Sequence, residues 1–142
     1  MYRPVIAAAA ALVLAAPLAA QSAADSAAII APALDYIEGW ERADTTRMAH
    51  GLSPNLTKVG VMDRDGGLEL VTMDKAQLVR GTGLRPAGDP AFDGSDRVRI
   101  LDIFQDMATV RVSFDGWVDH VQVARIDGEW KIVNVLWQPR RP

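Results

Sequence analysis

The residue pair most suited to holding a small molecule is Tyr36 with Trp40. The two are four residues apart in a segment with helical periodicity, so they share one helix face. On that face they could stack on a flat ligand, with the Tyr36 hydroxyl as a hydrogen-bond donor. They could equally form an apolar stripe that closes a core. The spacing leaves both interpretations open.

Asp119 is the candidate acid or base. Its same-face neighbours on a predicted strand are apolar, namely Trp117, Val121 and Val123. A carboxyl group in such a setting is either buried with a raised pKa or satisfied by hydrogen bonds near the strand end. Proton transfer at carbon needs a base beside an apolar slot and a donor for the developing oxyanion. Asp119 and Tyr36 could supply these two roles, so both are catalytic candidates.

The remaining polar candidates are Asn134 and the two histidines. Asn134 would need hydrogen-bond partners if buried, so it is a candidate for orienting a polar ligand group. His120 adjoins Asp119 along a strand and must point to the opposite face, which excludes a dyad between them. His50 ends a short helix, where a cation favours the helix dipole. With the histidines so placed and no cysteine, we expect neither a metal site nor a cofactor.

Length and composition limit the class of protein that can present these groups. The chain has 142 residues, of which 49% are hydrophobic, which is enough for one domain with a buried core. It holds 15 basic and 18 acidic residues, for a net charge of −3. Since nucleic-acid-binding domains normally carry a basic excess, the charge argues against a nucleic-acid partner.

The first residues have the order of a secretory signal. Arg3 precedes an uncharged, Ala-rich apolar run that ends in small residues at Ala19 and Ala20. The run is shorter than the roughly 20 residues that cross a bilayer, so we expect a cleaved leader rather than a stable membrane anchor. The sequence therefore predicts a signal peptide over 1–20, a single domain over 21–142, and a periplasmic or secreted protein.

The candidate pair on the helix belongs to the first of three predicted helices. Apolar residues recur at three- and four-residue steps over 25–43, with Ile30, Leu34 and Ile37 among them. Pro32 fits badly inside a helix, so the helix is expected to begin there or to bend there.

Capping signals predict the other two helices. Asp44 is an N-cap for a short helix through His50. Asp74 with Gln77 three residues later resembles a capping box and starts a third helix that ends near Gly83.

The rest of the chain reads as strands and turns. A hairpin is predicted over 56–71 around a turn at 63–67, and a long loop over 84–96. Turn-separated, β-branched stretches then predict four strands, at 97–105, 108–114, 117–126 and 130–137. Helices followed by a meander indicate an α+β fold.

Three motifs in this order resemble a known family. They are Asp-Tyr-Ile-Glu-Gly-Trp at 35–40, Trp-Val-Asp at 117–119 and Asp-Gly-Glu-Trp-Lys-Ile at 127–132. Together they are similar to the NTF2-like superfamily, and most of all to its group of putative lumazine-binding proteins, over about residues 25 to 138. The resemblance implies a ketosteroid-isomerase-like cone: three helices from the N-terminal half packed on a curved antiparallel sheet. It also implies that Tyr36 and Trp40 look into the cone, and that His120 and Gln122 lie on a homodimer face.

Three alternative functions are open for such a fold. The first is an exported domain that binds a small apolar or aromatic molecule in its cone through Tyr36, Trp40, Asp119 and Asn134. The second is an isomerase or dehydratase that uses Asp119 and Tyr36, and the third is a dimerisation or interaction module with a filled core. An open cavity of about 300 Å³ beside Tyr36 and Trp40 would favour the first two.

Overall fold

The computed structural model describes the backbone of residues 15–141 and the side chains of residues 24–141. Its three helices are Ala15–Arg42 (α1), Thr45–Gly51 (α2) and Lys75–Gly83 (α3). Its six strands are Leu52–Arg64 (β1), Gly67–Asp74 (β2), Val98–Phe104 (β3), Met107–Ser113 (β4), Trp117–Ile126 (β5) and Glu129–Pro139 (β6). All three predicted helices and all six predicted strands are present. The predicted leader over 1–20 lies largely outside the described residues.

Local capping chemistry sets the helix starts. The Asp44 side chain accepts a hydrogen bond from the backbone N–H of Arg47 at 2.9 Å and opens α2. Asp74 and Gln77 form the complete capping box at the start of α3. α1 runs through Pro32 and does not begin there, which removes one of the two expected alternatives. No helix among the described residues is long and apolar enough to span a membrane.

Two tight turns join the hairpins that the sequence indicated. Asp65 and Gly66 join β1 to β2 with φ values of 51° and 82°, and Asp127 and Gly128 join β5 to β6 with 52° and 85°. Both central residues of each turn are left-handed, which matches the twist of the flanking strands and favours Asp-Gly. The turns fix the register of both hairpins.

The strands form one sheet in the order β2-β1-β6-β5-β4-β3, with β2 and β3 as its open edges. Every neighbouring pair is antiparallel except β1 and β6, which run parallel. The sheet, expected to be antiparallel, is antiparallel at four of its five pairs and parallel at this one. Tight turns dictate antiparallel pairing within the β1–β2 hairpin and within the β3–β6 meander. No turn joins β1 to β6, so their direction follows from tertiary packing.

α1 lies across the sheet, in contact with β3 to β6, whereas α3 packs on β1 and β2. The side chains of Ile29, Ala33, Tyr36 and Ile37 on α1 are fully buried against it. The expected stripe included Ile30 and Leu34, which are only half-buried, so the buried face is centred one residue earlier. α1 and α3 thus cover different halves of the sheet and leave space between them.

Candidate functional site

An open cavity of about 350 Å³ lies between α1, α3 and the sheet. Its walls are aromatic and aliphatic with two polar side chains, and they comprise Tyr36, Trp40, Lys58, Met73, Gln77, Leu78, Gly81, Trp117 and Trp137. The predicted pair, Tyr36 and Trp40, both line it. The interaction-module hypothesis requires a cone filled with side chains, whereas the structure has an open cavity there.

The aromatic side chains form a continuous wall. Trp117 meets Trp40 edge-to-face, with ring centroids 6.1 Å apart, and meets Trp137 at 6.2 Å. Phe114 stacks on the other side of Trp117 at 4.5 Å and 15°. Such contacts fix the ring orientations, so the wall is held rigid before any ligand arrives.

The loop after α3, residues 84–96, contacts Trp40 through Arg85. The Arg85 guanidinium lies 4.3 Å from the Trp40 ring centroid, and Arg85 Nε donates to the Trp40 carbonyl at 3.0 Å. A Cβ atom at Gly88 would lie 1.7 Å from the Glu41 carbonyl oxygen, so the backbone there passes α1 closer than any side chain allows. The 84–96 loop is therefore fastened to the end of α1.

A buried polar cluster of Tyr36, Lys58 and Asp119 lies at one wall of the cavity. The Tyr36 hydroxyl donates to Asp119 Oδ2, and Lys58 Nζ donates both to the Tyr36 hydroxyl oxygen and, at 3.0 Å, to Asp119 Oδ2. Asp119 is fully buried, and the Lys58 side chain is only 8% exposed. Asp119 itself does not line the cavity, so a ligand would meet Tyr36 and Lys58 first.

Burial dominates the electrostatics of this cluster. It raises the pKa of Asp119, against the opposing effect of the Lys58 charge and the Tyr36 hydrogen bond. Burial also lowers the pKa of Lys58, although Asp119 partly offsets it. The pKa of Tyr36 rises well above its ordinary value because of burial and then of Asp119. Tyr36 is therefore a neutral phenol that can donate a hydrogen bond but cannot act as a base.

Asn134 lies away from this cluster. Its side-chain amide donates to Gln122 Oε1 at 3.0 Å, and it pairs with Gln122 on the outer face of the sheet. The register of β6 against β5 shifts so that Val133 is an extra residue, which turns Val135 and Trp137 inward. Because of this bulge Asn134 lies on the outer face and does not line the cavity, where the predicted ligand-binding role would require it.

The structure places both histidines away from the cavity. His120 is exposed on the outer face, opposite to Asp119 as predicted. His50 Nδ1 contacts Asp35 Oδ2 at 2.6 Å on the surface. Within residues 24–141 no cluster of side chains has the makeup of a metal site.

Lys58 was missed by the sequence analysis. It lies on the same face of β1 as Leu56 and Gly60, both buried. A single charged residue on a buried strand face is the same signal that singled out Asp119. Its role became visible only once β1 lay beside β6, since Lys58 pairs with Val135 there.

Comparison with known proteins places this geometry in a family. The family model described as putative lumazine-binding matches residues 24–138. A search of curated protein sequences finds no significant match.

Solved structures share the fold. An NTF2-like protein of unknown function from Shewanella baltica OS155 is 22% identical, with a TM-score of 0.65 over 84% of this chain and 97% of that one. One from Silicibacter pomeroyi DSS-3 is 21% identical, with a TM-score of 0.65 over 84% and 98%. A putative dehydratase of the NTF2-like family from Streptomyces avermitilis is 13% identical, with a TM-score of 0.53 over 85% and 99%. The chain therefore belongs to the putative lumazine-binding family and shares its fold with these NTF2-like proteins.

Proposed function

We propose that this protein binds a flat, uncharged ring compound in the cavity between α1 and α3. The observation that carries the proposal is the 350 Å³ cavity walled by Tyr36, Trp40, Trp117 and Trp137. Ligand sites are typically concave, mostly apolar and pre-formed, with a few polar groups that set orientation. The contacts among the aromatic side chains supply that pre-formed wall.

Charge in the cavity favours a neutral ligand. The cation at the wall, Lys58, is already paired with Asp119 at 3.0 Å. A ligand carboxylate would compete with Asp119 for the same ammonium group and would itself lose its hydration. A carbonyl or ring nitrogen can instead accept a hydrogen bond without bringing a charge.

The unpaired indole groups support a ligand with hydrogen-bond acceptors. Nε1 of Trp40 and Nε1 of Trp117 are buried and have no acceptor among the described residues. Buried N–H groups normally have a partner. A bicyclic ring with several acceptors, such as lumazine, also suits the Tyr36 and Lys58 donors at the cavity wall, and the family description is in accord with it.

Titration of tryptophan emission tests the proposal. We expect lumazine and the simpler ring 2-naphthol each to change the emission saturably, because three tryptophans line the cavity. The same compounds should raise the melting temperature, by an amount that follows RT ln(1 + [L]/Kd). Linear, non-saturating quenching with no thermal shift for either compound would contradict the proposal.

An isomerase or dehydratase remains the second candidate, supported by the buried Tyr36–Lys58–Asp119 cluster. The geometry favours it less than binding, because Tyr36 and Lys58 both donate to Asp119 Oδ2 and Asp119 does not line the cavity. Asp119 would have to leave these partners in order to reach a substrate proton.

Assembly and location are finer parts of the proposal. We propose a homodimer through the outer sheet face of His120 and Gln122, where Leu136 is 47% exposed beside a groove that also includes Val61 and Val118. Light scattering should give twice the chain mass, and a monomer at high concentration would refute the dimer.

Export rests on the order of residues in 1–20, and a native protein that begins near Gln21 by mass spectrometry would support it.

A further inference from the structure

Lys58 is the one lysine of the three in the chain that faces the cavity. Its Nζ lies 5.1 Å from the Tyr36 ring centroid and 5.0 Å from the Trp137 ring centroid. Lys75 and Lys131 instead donate to backbone carbonyls, those of Leu52 and His50, at 2.8 and 2.9 Å. A ring compound in the cavity would therefore meet a single amine.

Asp119 is placed to accept a proton from the Lys58 ammonium group. Asp119 Oδ2 lies 3.0 Å from Nζ, within reach for direct proton transfer. Burial lowers the pKa of Lys58 and raises that of Asp119, so both shifts make it easier for the ammonium group to pass a proton to its carboxylate partner. An unprotonated lysine in a desolvated site is a nucleophile for carbonyl carbon.

We propose that the Lys58 amine forms an imine with uncharged aromatic aldehydes or ketones that enter the cavity. This inference rests on the proposed binding of flat rings in the same space. It narrows the proposed ligands to ring compounds that carry a carbonyl group at the end nearest to Lys58.

The steps balance without an outside reagent. Lys58 first passes one ammonium proton to Asp119. Its nitrogen lone pair then bonds to the carbonyl carbon as the π bond of the carbonyl group opens, and the oxygen takes the Tyr36 hydroxyl proton, which Asp119 replaces. The resulting carbinolamine then loses its C–O bond as the C=N bond forms. Two of the three ammonium hydrogens leave with the oxygen as water and the third stays on the imine nitrogen beside the Asp119 carboxylate, so nothing is oxidised or reduced.

Reductive trapping tests the imine. The intact protein is treated with 2-naphthaldehyde and sodium cyanoborohydride, and each lysine is quantified by peptide mapping. We expect Lys58 to be labelled at least about tenfold faster than Lys75 and Lys131. 2-Methylnaphthalene, which fits as a ring but has no carbonyl, should slow only the labelling of Lys58. Labelling of Lys58 at or below the rate of Lys75 would overturn the proposal.

Two variants serve as controls. Lys58→Arg should remove the cavity label and leave Lys75 and Lys131 unchanged, whereas Asp119→Asn should move the labelling of Lys58 to lower pH, because Asp119 raises the pKa of Lys58. If either variant does not fold, the comparison among the three lysines of the unmodified protein still decides. Saturable binding of 2-naphthol without Lys58 labelling would refute the imine alone, and failure of both would refute the binding site too.

Discussion

Replacing Lys58 with methionine is expected to lower the free energy of unfolding by about 3–5 kcal/mol at neutral pH, because Asp119 loses its cation while it stays buried. Asp119 is fully buried and Lys58 nearly so, which makes water a poor substitute for the missing charge. Tyr36 alone would remain as a hydrogen-bond donor to the carboxylate. Urea denaturation of the variant and the unmodified protein measures the difference.

The loss should depend on pH in a defined direction. Without Lys58 the pKa of Asp119 in the folded state rises further above its ordinary value of 3.8, because burial raises it and the opposing cation is gone. The folded state then holds a proton that the unfolded state has released. The stability of Lys58→Met relative to the unmodified protein is therefore greatest below pH 3.8 and falls as the pH rises through the folded-state pKa.

The double variant Lys58→Met/Asp119→Asn is the matched control. It removes both charges and should recover most of the lost stability, with no pH-dependent loss in the same window. If Lys58→Met alone lies within about 0.5 kcal/mol of the unmodified protein, the buried ion pair is not formed as described.

Gly81→Phe is expected to abolish ring binding without destabilising the protein. Gly81 lines the cavity from α3, and a Cβ atom there would meet no atom within 4 Å. A phenyl group can extend from this position into the space that a ligand would occupy. We expect the Kd for 2-naphthol and lumazine to rise by about 100-fold or more, which is about 2.7 kcal/mol of binding free energy.

The same substitution should raise the stability slightly, since a glycine inside a helix costs about 0.5–1 kcal/mol relative to alanine. Gly81→Ala is the control, because it removes the conformational cost of a helical glycine without filling the cavity. It should therefore bind both compounds as the unmodified protein does. Unchanged binding to Gly81→Phe would show that the rings bind elsewhere.

The sequence was informative wherever a short stretch of chain decides its own structure. Asp44 and Asp74 cap their helices through partners three residues away, and the Asp-Gly pairs at 65–66 and 127–128 close their hairpins. Asp119 was a candidate because its carboxyl group shares a strand face with the apolar residues Trp117 and Val121. Its burial in the structure raises its pKa.

Features that depend on distant parts of the chain were not predictable in this way. The parallel pairing of β1 with β6 joins segments about 80 residues apart and carries no local signal. The bulge at Val133 reversed the alternation in β6, so Asn134 turned outward and Trp137 inward. Lys58 could be recognised as a site residue only from the pairing of β1 with β6, which places it against Tyr36 and Asp119.

A crystal structure grown with lumazine or 2-naphthol, whichever binds more tightly, tests the central proposal most directly. We expect density for one ring inside the cavity, in contact with Trp40, Trp117 and Trp137, and with its polar edge towards Lys58. Density for the ring only on the outer face of the sheet, with none between α1 and α3, would contradict the proposed binding site.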